Sequence, residues 1–150
     1  MDKHARILIV DDDESITNSM KTILEDEGYL VDTAVTGAGA IRKTEKTAYN
    51  IALLDIRLPD MEGVELLKLI KEGVPRTRKI MVTGYPSMQN AIAALNRSAD
   101  AYLIKPVDVE SLLRIVKEQL KLQEEEIEFS EQKVAQFIET RVKELSTSHV

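Results

Sequence analysis

The chain has 150 residues, a net charge of −6 and no cysteine, and 43% of its residues are hydrophobic. That length holds one domain with a full core and a short appendage. The acidic balance argues against a broad surface for the nucleic-acid backbone, and the absence of cysteine excludes disulfides and thiolate metal sites.

The opening, MDKHARILIVDDD, has only four consecutive apolar residues before its acids, so neither a signal peptide nor a spanning helix is expected there. No later run approaches membrane-spanning length, and a cytoplasmic protein without membrane contact is expected. RILIV (6–10) reads as a buried strand. Ile16, Met20, Ile23 and Leu24 then recur at helical spacing, with Gly28 as the stop. YLVDTA (29–34) reads as an edge-like strand, and GAGAIRKTEK (37–46) as a poorer helix. NIALL (50–54) is a further buried strand, RLPDMEG (57–63) a loop, and VELLKLIKE (64–72) a helix. RKIMV (78–82) is a strand, GYP (84–86) a turn, and Ser87 a cap for a helix over MQNAIAALNR (88–97). DAYLI (100–104) is the fifth strand, followed by KPVD and a long helix from about Val109. Five strand–helix units with short links imply an α/β fold, a parallel sheet covered on both faces.

The domain is expected over residues 1–122, with 123–150 as a helical extension or linker. In the extension, Leu113, Val116, Leu120, Ile127, Val134 and Phe137 fit a seven-residue repeat. Gln123 and Ser130 take the remaining seam positions, and Ile138, Val142 and Leu145 widen the stripe. Two readings are open: a helix that folds back on its own domain or frays, and a dimerising coiled coil. From Lys117 onward five basic residues face eight acidic ones, which does not suit direct nucleic-acid binding. KELSTSHV leaves open whether an output domain follows.

Chemistry-bearing residues follow four of the strands. ILIV is followed by Asp11 and Asp12, IALL by Asp55, KIMV by Thr83, and AYLI by Lys105. In an open parallel sheet, ligands bind at the carboxyl ends of the strands. Each residue alone has a structural explanation as a cap, a turn residue or a solvated end. Together, three carboxylates suggest a hard cation such as Mg²⁺ or Mn²⁺, which often bridges carboxylates to a phosphoryl group. Asp55 is then a candidate nucleophile, because carboxylates form aspartyl phosphates. Lys105 can neutralise one phosphoryl oxygen and Thr83 can donate a hydrogen bond to another. His4 and His149 read as surface residues. Asp13 and Glu14 read as first-turn carboxylates that favour the helix dipole.

The motifs ILIVDDD, LLDIRLPDMEG, MVTGY and AYLIKPVD resemble those of the receiver domain of two-component response regulators, over roughly residues 5 to 122. The resemblance implies a flavodoxin-like doubly wound sheet in the order 2-1-3-4-5. It implies that Asp55 accepts a phosphoryl group from a histidine kinase or phosphotransfer domain. Asp12, Asp55 and the backbone carbonyl of Arg57 would bind Mg²⁺ directly, with Asp11 helping, often through water. Thr83 and Lys105 would contact the phosphoryl group, and Tyr102 would turn inward as the switch aromatic. Lys105–Pro106 would be a cis peptide. Gly84 replaces the small Ala often found after the switch Thr. The helix at 88–97, the fifth strand and the last helix would form the surface that switches, and a homodimer through that face and the C-terminal helix is expected. Arg57 and Tyr85 lie where the family tunes hydrolysis, and a bulky pair implies slow autodephosphorylation. Two alternatives are carried forward. One is a haloacid-dehalogenase-type phosphatase with Asp11 as nucleophile, in the pattern Asp11-x-Asp13-x-Ser15. The other is a receiver-like binding module that no longer switches.

Overall fold

The structure, a computed structural model, describes residues 4–84, 87 and 99–147. The elements in chain order are β1 (Arg6–Val10), α1 (Glu14–Asp26), β2 (Leu30–Ala34), α2 (Gly37–Lys46), β3 (Ile51–Asp55), α3 (Gly63–Leu69), β4 (Arg78–Thr83), β5 (Ala101–Ile104) and α4 (Val109–Thr147). The five strands form one parallel sheet in the order β2-β1-β3-β4-β5. The expected architecture is therefore present. The helix expected over 88–97 lies outside the described residues, as do Tyr85 and His149; Ser87 is helical.

The continuous apolar runs are explained by burial on both faces. Ile7, Ile9, Ile51, Leu53, Ile80, Val82 and Leu103 point to one side, against Met20 and Leu24 of α1 and Leu112, Val116 and Leu120 of α4. Leu8, Val10, Ala52, Leu54 and Met81 point to the other, against Ala40 of α2 and Leu66 and Leu67 of α3. Alternation still operates, but both parities meet apolar partners.

Local chemistry sets the ends. Asp13 caps α1, its carboxylate accepting from the N–H groups of Ser15 and Ile16 at 3.0 and 3.3 Å. It is a cap, one position earlier than the first-turn role expected for it. At the other end Gly28 has φ 97°, its N–H donates to Glu25 O, and the Tyr29 N–H donates to Leu24 O. That pattern closes the helix through a left-handed residue. Helix α3 stops at Leu69, three residues short of expectation. Its end groups find tertiary partners instead: Lys79 Nζ donates to Leu67 O at 3.1 Å, and the Lys71 N–H donates to Thr44 Oγ1 at 3.1 Å.

Helix α4 runs unbroken for 39 residues, about 58 Å. Asp108 opens it by accepting from the Ser111 N–H at 2.7 Å. Its first half is core: Leu112, Val116 and Leu120 are buried under the sheet. A polar network then holds it to the amino-terminal edge of the strands. Arg78 Nε donates to Gln119 Oε1 at 2.9 Å, and Arg78 also pairs with Glu126. Gln123 accepts from Asn50 Nδ2 at 2.9 Å and donates to Arg76 O at 2.8 Å. The seam position assigned to Gln123 is thus occupied by the chain's own domain. Beyond Ile127 the helix does not fold back, and Glu128 through Ser146 are all exposed, with Phe129 lining a shallow cleft beside Arg78 of β4. Among the described residues, no helix is long and apolar enough to cross a membrane.

Truncating Leu120 to Ala should cost about 2–5 kcal/mol in urea unfolding, because it opens a cavity under the sheet. Phe129→Ala, on the exposed half of the same helix, should cost less than about 1 kcal/mol.

Candidate functional site

Strand ends bring the expected residues together. Asp11 follows β1 and is buried, Asp12 beside it is exposed, and Asp55 is the last residue of β3 and buried. Ligand oxygens of these three carboxylates lie within 4.8 Å of one another. Lys105, just past β5, bridges two of them: its Nζ is 2.9 Å from Asp11 Oδ2 and 3.3 Å from Asp55 Oδ1. A cleft over this cluster is lined by Asp11, Asp12, Asp55, Arg57, Gly84 and Lys105, with Asp13 and Ile16 at its side.

Burial is the main force on the Asp55 carboxyl and pushes its pKa above the ordinary value; the Asp11 charge adds to this, and Lys105 offsets only part. For Lys105 burial works downward, but the hydrogen bond to Asp11 and the charges of Asp55 and Asp11 outweigh it, so its ammonium is held above its usual value. Two like charges and one opposite charge are thus confined at the end of a low-dielectric sheet. The arrangement gains from one more cation near the exposed side of Asp12.

The remaining site residues divide by position. Thr83 ends β4, is fully buried, and its carbonyl accepts the Lys105 N–H at 2.7 Å. Gly84 beside it lines the cleft, and a Cβ there would meet only Lys105 Cβ and Cδ at 3.7 and 3.8 Å. Tyr102 pairs with Met81 across the sheet, is 39% exposed, and lines a separate pocket with Pro106, Val107 and Ser111. It does not reach the acid cluster. The Lys105–Pro106 peptide is cis.

Two supports were not read from the sequence. Gly63 brings its backbone against Asp55: a Cβ there would sit 2.1 Å from the Asp55 carbonyl oxygen, and its N–H donates to Ile56 O at 2.7 Å. Asp60, in the loop after β3, caps α2 by accepting from the N–H groups of Gly37 and Ala38 at 2.8 and 2.9 Å. These backbone hydrogen bonds hold its carboxyl below the usual carboxylate range. Together they tie the loop that carries Arg57 to the neighbouring helix. The glycine after PDME was visible as a turn residue; its contact with Asp55 was not.

Fold and site together define a doubly wound α/β domain with an acidic, lysine-bridged cleft at the carboxyl edge of its sheet. Residues 7–117 match the family described as the response regulator receiver domain, and the chain belongs to that family. The transcriptional regulatory protein TrcR of Mycobacterium tuberculosis is 36% identical over 108 residues, 72% of this chain and 42% of that protein. The transcriptional regulatory protein ZraR of Klebsiella oxytoca is 38% identical over 114 residues, 76% of this chain and 26% of that one. The chain thus spans less than half the length of these relatives. Among solved structures, a CheY-like receiver domain protein from Methanospirillum hungatei JF-1 is 51% identical with a TM-score of 0.73, covering 82% of this chain and 98% of that chain. The phosphatase alternative loses its ground: Asp13 is engaged by Ser15 and Ile16 as a helix cap, and the family is a different one.

Gly63→Ala should destabilise the fold by at least about 1–3 kcal/mol in urea unfolding, because the Asp55 carbonyl must move. Gly84→Ala should change stability by no more than about 0.5 kcal/mol.

Proposed function

We propose that this receiver domain is a phosphorylation switch in which Asp55 accepts a phosphoryl group from the phosphohistidine of a histidine kinase or phosphotransfer domain. The observation that carries it is the cluster of Asp11, Asp12 and Asp55 oxygens within 4.8 Å, bridged by Lys105. An all-oxygen donor set with one exposed carboxylate fits a hard divalent cation, Mg²⁺ or Mn²⁺. Asp12, Asp55 and the Arg57 carbonyl would hold it, with Asp11 acting through water. Bound there, the cation neutralises the carboxylates and the phosphoryl oxygens.

One Asp55 carboxylate oxygen attacks phosphorus as the P–N bond to the donor imidazole breaks, and the imidazole leaves with the bonding electrons. Such a transfer needs positioning and charge stabilisation more than acid–base help. The Lys105 ammonium, already 3.3 Å from Asp55, supplies positive charge to an incoming phosphoryl oxygen. The Thr83 hydroxyl donates to another. The movement of Thr83 draws Tyr102 inward from its half-exposed position and changes the surface that β5 and α4 would share with the helix expected over 88–97. Residues 1–122 form the switching unit in this reading, and 123–150 carry its output. A homodimer through that face and the C-terminal helix transmits the state, in a cytoplasmic pathway. Arg57 and Tyr85 lie two residues beyond Asp55 and Thr83 in the sequence, and as a bulky pair they are expected to slow the attack of water on the acyl phosphate.

Incubation with acetyl phosphate and Mg²⁺ should add one phosphoryl group, mapped to Asp55 by intact mass and peptide analysis. The adduct should be absent without the metal and in Asp55→Ala; label on another aspartate would refute the assignment. The phosphorylated form should persist for minutes or longer once donor is removed, and decay within seconds would contradict the slowing expected from Arg57 and Tyr85.

A further inference from the structure

Helix α2 opens on Gly37-Ala38-Gly39, a weak start, because glycine is among the poorest helix formers. Its first N–H groups are satisfied from two directions. Thr36, the residue before the helix, accepts from the Gly39 N–H at 3.0 Å, the usual local cap. The Gly37 and Ala38 N–H groups instead donate to the two carboxylate oxygens of Asp60, at 2.8 and 2.9 Å. A Cβ on Gly37 would collide with the Met61 thioether, so the missing side chain is the seat of Met61. The helix gives up its own propensity at the point where the loop after β3 docks.

That loop is a closed hairpin. The Gly63 N–H donates to Ile56 O at 2.7 Å and the Leu58 N–H to Met61 O at 3.1 Å, on either side of an antiparallel bridge between Arg57 and Glu62. Residues bracketed in this way do not bond to each other, so the Arg57 carbonyl is turned away from Glu62. Arg57 itself lines the acid cleft. The hairpin is held at both ends. At its base Gly63 lies against the Asp55 carbonyl, and at its tip Asp60 and Met61 are seated on α2. Helix α2 is anchored in turn: Ala40 is fully buried, and Thr44 Oγ1 accepts from the Lys71 N–H at 3.1 Å.

We propose that Asp60 is a positioning residue for the cation site: by tying the hairpin tip to α2, it holds the Arg57 carbonyl at the cleft and raises the affinity of the Asp11, Asp12 and Asp55 cluster for a divalent cation. This rests on the reading above, in which that cluster and the Arg57 carbonyl bind Mg²⁺ or Mn²⁺. A main-chain carbonyl carries no net charge to draw it to the ion, and Mg²⁺ tolerates little departure from octahedral geometry. A loop left loose would have to be ordered on binding, and the lost conformational freedom would lower the affinity. The tie is made of charge-assisted hydrogen bonds, the stronger kind, at the helix end whose dipole favours a carboxylate.

Thr36 supplies the comparison that separates positioning from helix capping. Thr36→Ala removes a cap from the same turn of α2 and leaves Asp60 on its two amides. Asp60→Ala removes the other caps and the tie to the hairpin. Mg²⁺ titrations of the full chain, followed by backbone amide NMR, are run on both beside urea unfolding without metal, with Asp12→Asn as the reference for a lost site. Both cap variants should lower the urea midpoint. Asp60→Ala should weaken Mg²⁺ binding about tenfold, as for other groups that orient a metal ligand. Thr36→Ala should leave binding unchanged. The loss in Asp60→Ala should persist in about 1 M KCl, where the field of an exposed carboxylate is screened within about 3 Å.

Equal affinity in the wild-type chain and Asp60→Ala, or equal losses in the two cap variants, overturns the role of Asp60 and leaves the cation site standing. A loss that salt abolishes makes Asp60 a source of field rather than of position, and overturns that role as well. A wild-type chain with no saturable Mg²⁺ site overturns the reading of the cluster itself, and the role of Asp60 with it.

Discussion

Two carboxylates held side by side at the ends of adjacent buried strands are the constraint on which the structure turns. Asp11 and Asp55 are both nearly inaccessible, and a single ammonium, that of Lys105, stands between them. Isolated buried charges are costly, and like charges at this distance more so. The fold supports the arrangement from three sides. β1 and β3 are neighbours in the sheet, the β5–α4 connection delivers Lys105, and Gly63 lets the next helix close against the Asp55 backbone. The exposed Asp12 then leaves the cluster short of positive charge on its open side. That shortage is the physical basis for reading a cation and phosphoryl site rather than a structural ion pair.

Helix α4 shows one amphipathic pattern serving two purposes. Its first half completes the core, its middle is fixed by Arg78, Gln119, Gln123 and Glu126, and its second half projects the same stripe into solvent. The polar network lies at the amino-terminal edge of the sheet, opposite the acid cluster. It fixes the direction in which the tail leaves the domain, so a change in how β5 and α4 sit would be carried outward along a rigid rod.

Much of this was legible in the sequence because doubly buried strands read as short apolar runs, and chemistry collects where such runs end. Asp11, Asp12, Asp55, Thr83 and Lys105 were found by that rule alone, although Asp55 and Thr83 prove to be the last residues of their strands rather than the first beyond them. What could not be read depended on contacts between distant parts of the chain. Asp60 reaches 23 residues back to cap α2, and Gly63 is required by a carbonyl eight residues earlier. Gln123 was periodic with the tail, but its amide bonds to Asn50 and Arg76. Periodicity shows which residues share a helix face; it does not show what that face meets.

The central claim is that the carboxylates at the strand ends form one site for a hard cation. A Mg²⁺ titration followed by backbone amide NMR tests it most directly. The account predicts one saturable site, with shifts at residues 11–13, 55–57, 83–84 and 105 that are lost in Asp12→Asn. Shifts that do not saturate, that survive Asp12→Asn, or that fall instead on the glutamates at 124–128 of the tail would contradict it.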